Sequence, residues 1–244
     1  MARTTTIRAD GSAPAPEAAG PRWSEFGTLL RRGFIRTTVC TSLLTGLFFF
    51  FYFGVQRHPA HAPLLMPVTA LDAKIAFEPA ALLLYVTLWV YVGVGPGLQH
   101  SGRAFGVYWS WLCALCITGL AIFYLWPTRV PSAIALTHGF PGFDALHRID
   151  ETGNACPSMH VAVAVFTLVR VEGVMRGLRL PWLLRSFNAL WFALIVYSTL
   201  ATKQHVVLDV LAGALLGLAF AAMSLRWRPP AAAGAKFATL ALPS

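Results

Sequence analysis

Apolar blocks of about twenty residues, each long enough to carry a helix across roughly 30 Å of hydrocarbon, constrain this chain more than any other feature. They run over residues 37–55, 79–94, 107–126, 157–174, 181–199 and 206–226. Inside a bilayer every backbone N–H and C=O needs a partner within the protein, so blocks of this kind become helices. The 244 residues are 57% hydrophobic and only 12% charged, with mean hydropathy +0.62, which excludes an ordinary soluble domain. The expected fold is therefore all-α: an integral-membrane six-helix bundle over residues 37–226. Residues 1–36 are expected to form a largely disordered tail and 227–244 a second loose tail. The first apolar block starts too far along for a cleavable signal and is long enough to span and stay.

The net charge of +9 would suit nucleic acid if it gathered on one face, but the arginines flank the apolar blocks instead. If the blocks all span, fourteen of the nineteen lysines and arginines fall on one side. That side is expected to be cytoplasmic and to hold both termini. The loop 127–156 and the two polar motifs described next then face the extracytoplasmic side of what is expected to be the cell membrane. Cys40, Cys113 and Cys116 lie within apolar blocks. Cys113 and Cys116 have redox spacing but read as two small apolar residues on one helix face. Cys156 is expected to be a free thiol near the site.

Two short polar motifs stand at the mouths of apolar segments, where ionisable residues are costly and usually functional. The first is Asn154-Ala155-Cys156-Pro157-Ser158-Met159-His160. Pro157 suits the first position of a helix, with Asn154 or the Cys156 backbone as its cap. A helix start offers free N–H groups and partial positive charge to a phosphate, Ser158 adds a hydroxyl, and His160 projects from the first turn. The second motif runs from Ser198 to Asp209. His205 and Asp209 are four apart and share a helix face, so the carboxylate can hold the imidazole in one tautomer and stabilise its cation. Lys203 could neutralise a phosphate oxygen, and Arg129, bracketed by Pro127 and Pro131, suits a bidentate phosphate clamp. Two histidines, one carboxylate, two cations and a helix start are what phosphoryl transfer through a covalent histidine requires. Asp144, Asp150 and Glu151 lack a metal-ligand spacing, so the expected chemistry uses no metal and no cofactor.

At these residues the chain resembles the type 2 phosphatidic acid phosphatase superfamily of membrane lipid phosphatases. The family's Pro-Ser-Gly-His motif reads Pro157-Ser158-Met159-His160 here. In its third motif the spacing holds for Ser198, His205 and Asp209, but Thr199 replaces the arginine. Of the first motif only Arg129 is matched: its proline is displaced to Pro131, and Ile122 stands at the lysine position. Such departures are most similar to the branch that contains inositol phosphorylceramide synthases. The resemblance implies that His205 attacks phosphorus, Asp209 orients it and His160 protonates the leaving oxygen. It further implies that Arg129, Lys203, Ser158 and Ser198 hold the phosphate.

The expected function is metal-independent hydrolysis of a lipid phosphate or diphosphate at the extracytoplasmic face. The partners are the lipid substrate and the bilayer, with no nucleic acid. The nearest alternative is a lipid phosphotransferase that moves a phospho-head group to an alcohol. A transporter with a His–Asp proton relay ranks below both, because the polar residues crowd at one face instead of lining a path across the bilayer.

Overall fold

The computed structural model describes residues 20–131 and 153–226. In chain order these form α1 (Trp23–Arg57), β1 (Leu64–Leu65), α2 (Ala70–Lys74), α3 (Ala81–Val86), α4 (Leu88–Gly97), α5 (Gly102–Leu125), β2 (Thr128–Arg129), α6 (Met159–Gly177), α7 (Trp182–Ala201) and α8 (Val207–Arg226). The protein is predominantly helical, and α1, α5, α7 and α8 are long and apolar enough to cross a membrane. The other two expected spans are helical but differ from a plain apolar rod. In 79–94 the helix breaks at Thr87, whose hydroxyl donates to the Leu84 carbonyl at 2.7 Å while accepting from the Trp191 indole at 3.0 Å. A threonine that bonds back to its own turn bends a helix in this way. In α6, Arg170, Glu172 and Arg176 occupy the final two turns, and Glu172 pairs with Arg176 and Arg185.

The first helix also starts earlier than expected. It begins at Trp23, so residues 23–36 of the stretch expected to be disordered are helical. The last helix breaker is Pro21, and Arg22 pairs with Glu25 at 2.5 Å across the first turn, which supports the start. Residues 1–19 and 227–244 lie outside the described residues.

The bundle is organised around α6, which packs against α4, α5, α7 and α8. Val161, Ala162, Ala164, Phe166 and Thr167 of α6 are fully buried. Tyr108, Leu112, Leu115 and Phe123 from α5, Leu88 and Tyr91 from α4 and Ile195 from α7 complete the core around them. Outward-facing residues are large and apolar, among them Leu43, Leu47 and Phe50 on α1, Ile117 on α5, and Leu211 and Leu215 on α8. A surface of that kind is matched to lipid tails, not to water.

One end of the bundle is closed by short extended segments. β1 and β2 pair in parallel, Leu64 with Thr128 and Leu65 with Arg129. Arg129 also bridges Gly153 in the antiparallel sense. The Thr128 hydroxyl accepts from the Cys156 amide at 2.8 Å, and the Thr128 carbonyl from the Ala155 amide at 3.2 Å. These bonds tie the end of α5 to the segment that leads into α6, and so set where α6 begins.

Candidate active site

The first turn of α6 and the turn before α8 lie side by side at this end. Ser158 is the N-cap of α6, with its hydroxyl accepting from the Val161 amide at 3.4 Å. That corrects the expected start: Pro157 precedes the helix, and neither Asn154 nor the Cys156 backbone caps it. A serine hydroxyl is the better cap because it can reach the third amide of the first turn. Asn154 instead takes a left-handed conformation (φ 50°) and donates from its side-chain amide to the Tyr52 carbonyl at 3.1 Å. The Ser158 amide donates to the Asp209 carbonyl at 2.9 Å, which joins the two motifs directly.

His160 and His205 face each other, with ring centroids 5.6 Å apart. His205 Nδ1 lies 3.5 Å from Asp209 Oδ2, and Asp209 is fully buried. The same Oδ2 accepts from the Val206 amide at 3.0 Å, so Asp209 caps the helix that carries it and is held beside the imidazole. His160 packs against the Tyr85 ring at 4.5 Å, and its Nδ1 is 3.4 Å from the Tyr85 hydroxyl. Both histidines line one pocket. Gln204, Gly153 and Asn154 complete its polar end, and most of the remaining lining is apolar.

The apolar part runs into the bundle between α1, α4, α5 and α6. On α5 the lining residues extend from Phe123 to Leu112. At the helical rise of 1.5 Å per residue this is a depth of about 16 Å. Phe48, Phe49 and Trp89 supply aromatic walls. Met159, where the resembled motif has glycine, lines the pocket and packs against α5. Its sulfur occupies the space that a Cβ at Gly119 would need. The missing side chain on α5 therefore accommodates the extra one on α6.

The remaining expected phosphate ligands are placed differently. Ser198 is fully buried and its hydroxyl donates to the Ile195 carbonyl at 2.6 Å within α7. Thr199 bonds the same way, to the Val196 carbonyl. Lys203 stands in a left-handed turn (φ 57°), and its ammonium donates to the carbonyls of Asp72, at 3.1 Å, and of Ile75. Burial lowers the pKa of that ammonium, and the Asp72 carboxylate opposes the shift. Arg129 is exposed on β2, next to Gly153 of the pocket wall. Ile122, at the family's lysine position, is a partly buried residue of α5. Cys156 is free, and burial, reinforced by the Asp209 carboxylate, pushes its thiol up to about 11. Asp144, Asp150 and Glu151 lie outside the described residues. Among the described residues no three of His, Cys, Asp and Glu come together as a metal ion would require.

Asp72 is a residue that sequence reasoning passes over. Its carboxylate forms a capping box with Thr69, and Oδ1 accepts from the Val207 amide at 2.8 Å. It thus holds the first turn of α8 from outside the helix. The pattern Thr69-x-x-Asp72 in a chain with only ten acidic residues is the signal that could have found it. Asp72→Ala is expected to orphan the Val207 amide and lower stability by about 2 kcal/mol. Asp72→Asn, which keeps an acceptor, is expected to lose less. Thermal melts of the two variants check the order, and equal melting of Asp72→Ala and wild type would remove Asp72 from this role.

A model of the PAP2 superfamily matches residues 53–223, which span every element from the end of α1 to α8. No curated protein and no solved structure matches the chain.

Proposed function

Since the chain belongs to the PAP2 superfamily, whose members include phosphatases acting on phosphate esters, we propose that it is a metal-independent lipid phosphate or diphosphate phosphatase. The observation that carries the lipid substrate is the shape of the pocket. Two facing histidines stand at its polar end, and an aromatic-walled apolar channel leads from them into the bundle. A phosphate on a hydrocarbon chain fits both parts at once.

In this proposal Asp209 keeps the Nδ1–H of His205 turned toward itself, which leaves the Nε2 lone pair free. Nε2 attacks phosphorus, a P–N bond forms, and the P–O bond to the lipid breaks. His160, which takes up a proton when the phosphate is bound beside it, gives that proton to the leaving oxygen and releases the lipid alcohol. The now neutral His160 takes a proton from water, whose oxygen attacks the phosphohistidine. The P–N bond breaks, inorganic phosphate leaves and His205 is restored. Arg129, Lys203, Ser158 and Ser198 are proposed as phosphate-holding residues by family resemblance. Of these, Arg129 has the best support, as an exposed guanidinium next to the pocket wall. Lys203 needs to leave its two carbonyls to take part. The positive-inside bias supports an extracytoplasmic site in the cell membrane.

The second proposal is that an alcohol takes the place of water, as in the inositol phosphorylceramide synthase-like branch. Met159 and Thr199 at two motif positions favour it. A panel of lipid monophosphates, lipid diphosphates and phosphodiesters, assayed with and without a polyol or lipid alcohol, separates the two. Phosphate release without acceptor, undiminished by a chelator and inhibited by vanadate, is the expected result. Product that forms only with acceptor supports the transferase. Strict dependence on a divalent cation would count against the histidine mechanism.

A further inference from the structure

Gln204 is nine-tenths buried at the polar end of the pocket, between Lys203 and His205 in sequence. Its side-chain nitrogen, Nε2, is shielded from solvent and has no hydrogen-bond partner. A buried primary amide with two N–H groups and no acceptor is destabilising, and native structures keep one only for a reason. The turn explains its direction. Lys203, at φ 57°, sends its ammonium to the carbonyls of Asp72 and Ile75, and the next residue lines the pocket that both histidines line.

Several hydroxyls near the site already have acceptors, while the Ser158 hydroxyl accepts from the Val161 amide and His205 Nδ1 has the Asp209 carboxylate 3.5 Å away. The hydroxyls of Ser198, Thr199 and Thr202 donate to carbonyls of α7. The Tyr52 hydroxyl donates to the Gly153 carbonyl at 3.2 Å. Thr199, at the position where the resembled motif has arginine, is fully buried and does not line the pocket. We infer that Gln204 donates from Nε2 to a non-bridging oxygen of the phosphoryl group under attack, and so supplies the hydrogen bond that the absent motif arginine would give. The inference rests on the phosphoryl-transfer proposal and adds to it a neutral donor that no motif assigns. A fixed neutral donor stabilises the oxygens of the five-coordinate state without drawing the nucleophile's lone pair toward a cation.

The test uses vanadate, which takes up the five-coordinate geometry, and the full-length protein in detergent. Gln204→Leu keeps the side chain's size and removes both N–H groups. It is expected to lower kcat by about 10²-fold, to weaken vanadate inhibition by a similar factor, and to leave the melting temperature without vanadate near wild type. Gln204→Glu, which places a carboxylate at the phosphoryl oxygen, is expected to do more damage than Leu on both readouts. If a trapped water alone satisfies Nε2, Gln204→Leu inhibits and turns over like wild type, and the inference is overturned. Should Gln204→Leu fail to fold, the same comparison on Gln204→Glu decides, with unchanged vanadate inhibition again overturning it. A wild-type protein with neither turnover nor a vanadate-induced rise in melting temperature would overturn the phosphoryl-transfer proposal itself, which is a separate outcome.

Discussion

His205→Ala is expected to reduce phosphate release by at least about 10³-fold while leaving membrane insertion and melting temperature close to wild type. The local structure explains the second half of this expectation. Asp209 keeps its bond from the Val206 amide without the imidazole, and Asp72 still holds the Val207 amide, so the first turn of α8 retains its partners. His160→Ala is expected to differ in kind. Its role is to protonate the leaving oxygen, so its loss of about 10²- to 10⁴-fold should shrink with an aryl phosphate, whose leaving group needs no proton. The His205→Ala loss should not shrink, because no leaving group replaces a missing nucleophile. Comparing both variants on a lipid phosphate and on an aryl phosphate checks the assignment. A His205→Ala protein that releases phosphate at the wild-type rate refutes the nucleophile, and equal rescue of both variants refutes the division of labour.

The parts of this site that are legible in the sequence are those set by local geometry. His205 and Asp209 meet because residues four apart share a helix face, and the structure puts Nδ1 3.5 Å from the carboxylate. His160 and His205 can be placed at one end because each opens an apolar helix. The apolar blocks can be read as helices for the same reason, although length alone does not reveal the break at Thr87, which depends on Trp191 more than a hundred residues away. Long-range pairings are the parts that stay hidden. Lys203 reads in sequence as a phosphate cation, and its partners in the structure, the carbonyls of Asp72 and Ile75, are brought in from α2 and its C-cap by the fold. Ser158 and Ser198 look like phosphate ligands because a hydroxyl in a motif has no visible partner in sequence. In the structure the Ser198 hydroxyl donates to its own helix, whereas the Ser158 hydroxyl accepts from the Val161 amide. Gln204 carries the opposite lesson. It has no motif to mark it, and only burial without a partner makes it stand out.

Gly213→Ala is expected to disrupt both stability and turnover, although it adds only one methyl group. Gly213 and Gly217 lie four apart on α8 and form the seam against α6. A Cβ at Gly213 would stand 2.3 Å from the Ser158 carbonyl oxygen, and one at Gly217 2.3 Å from the Ala162 carbonyl oxygen. Both obstacles are backbone, so the helices must separate to admit the methyl. At Gly213 the atoms displaced belong to the N-cap of α6, two residues before His160, and the Ser158–Asp209 bond that joins the motifs lies in the same place. Separation there moves His160 away from His205. Gly217 sits one turn further from the site, so Gly217→Ala should lower the melting temperature comparably but cost less turnover. Gly106→Ala, on α5, where a Cβ meets nothing within 4 Å, is the control and should be neutral or stabilising by up to about 1 kcal/mol. The check is a melting temperature and a kcat for all three. A Gly213→Ala protein that matches the Gly106→Ala control on both would show that close approach of α6 and α8 does not set the distance between the two histidines.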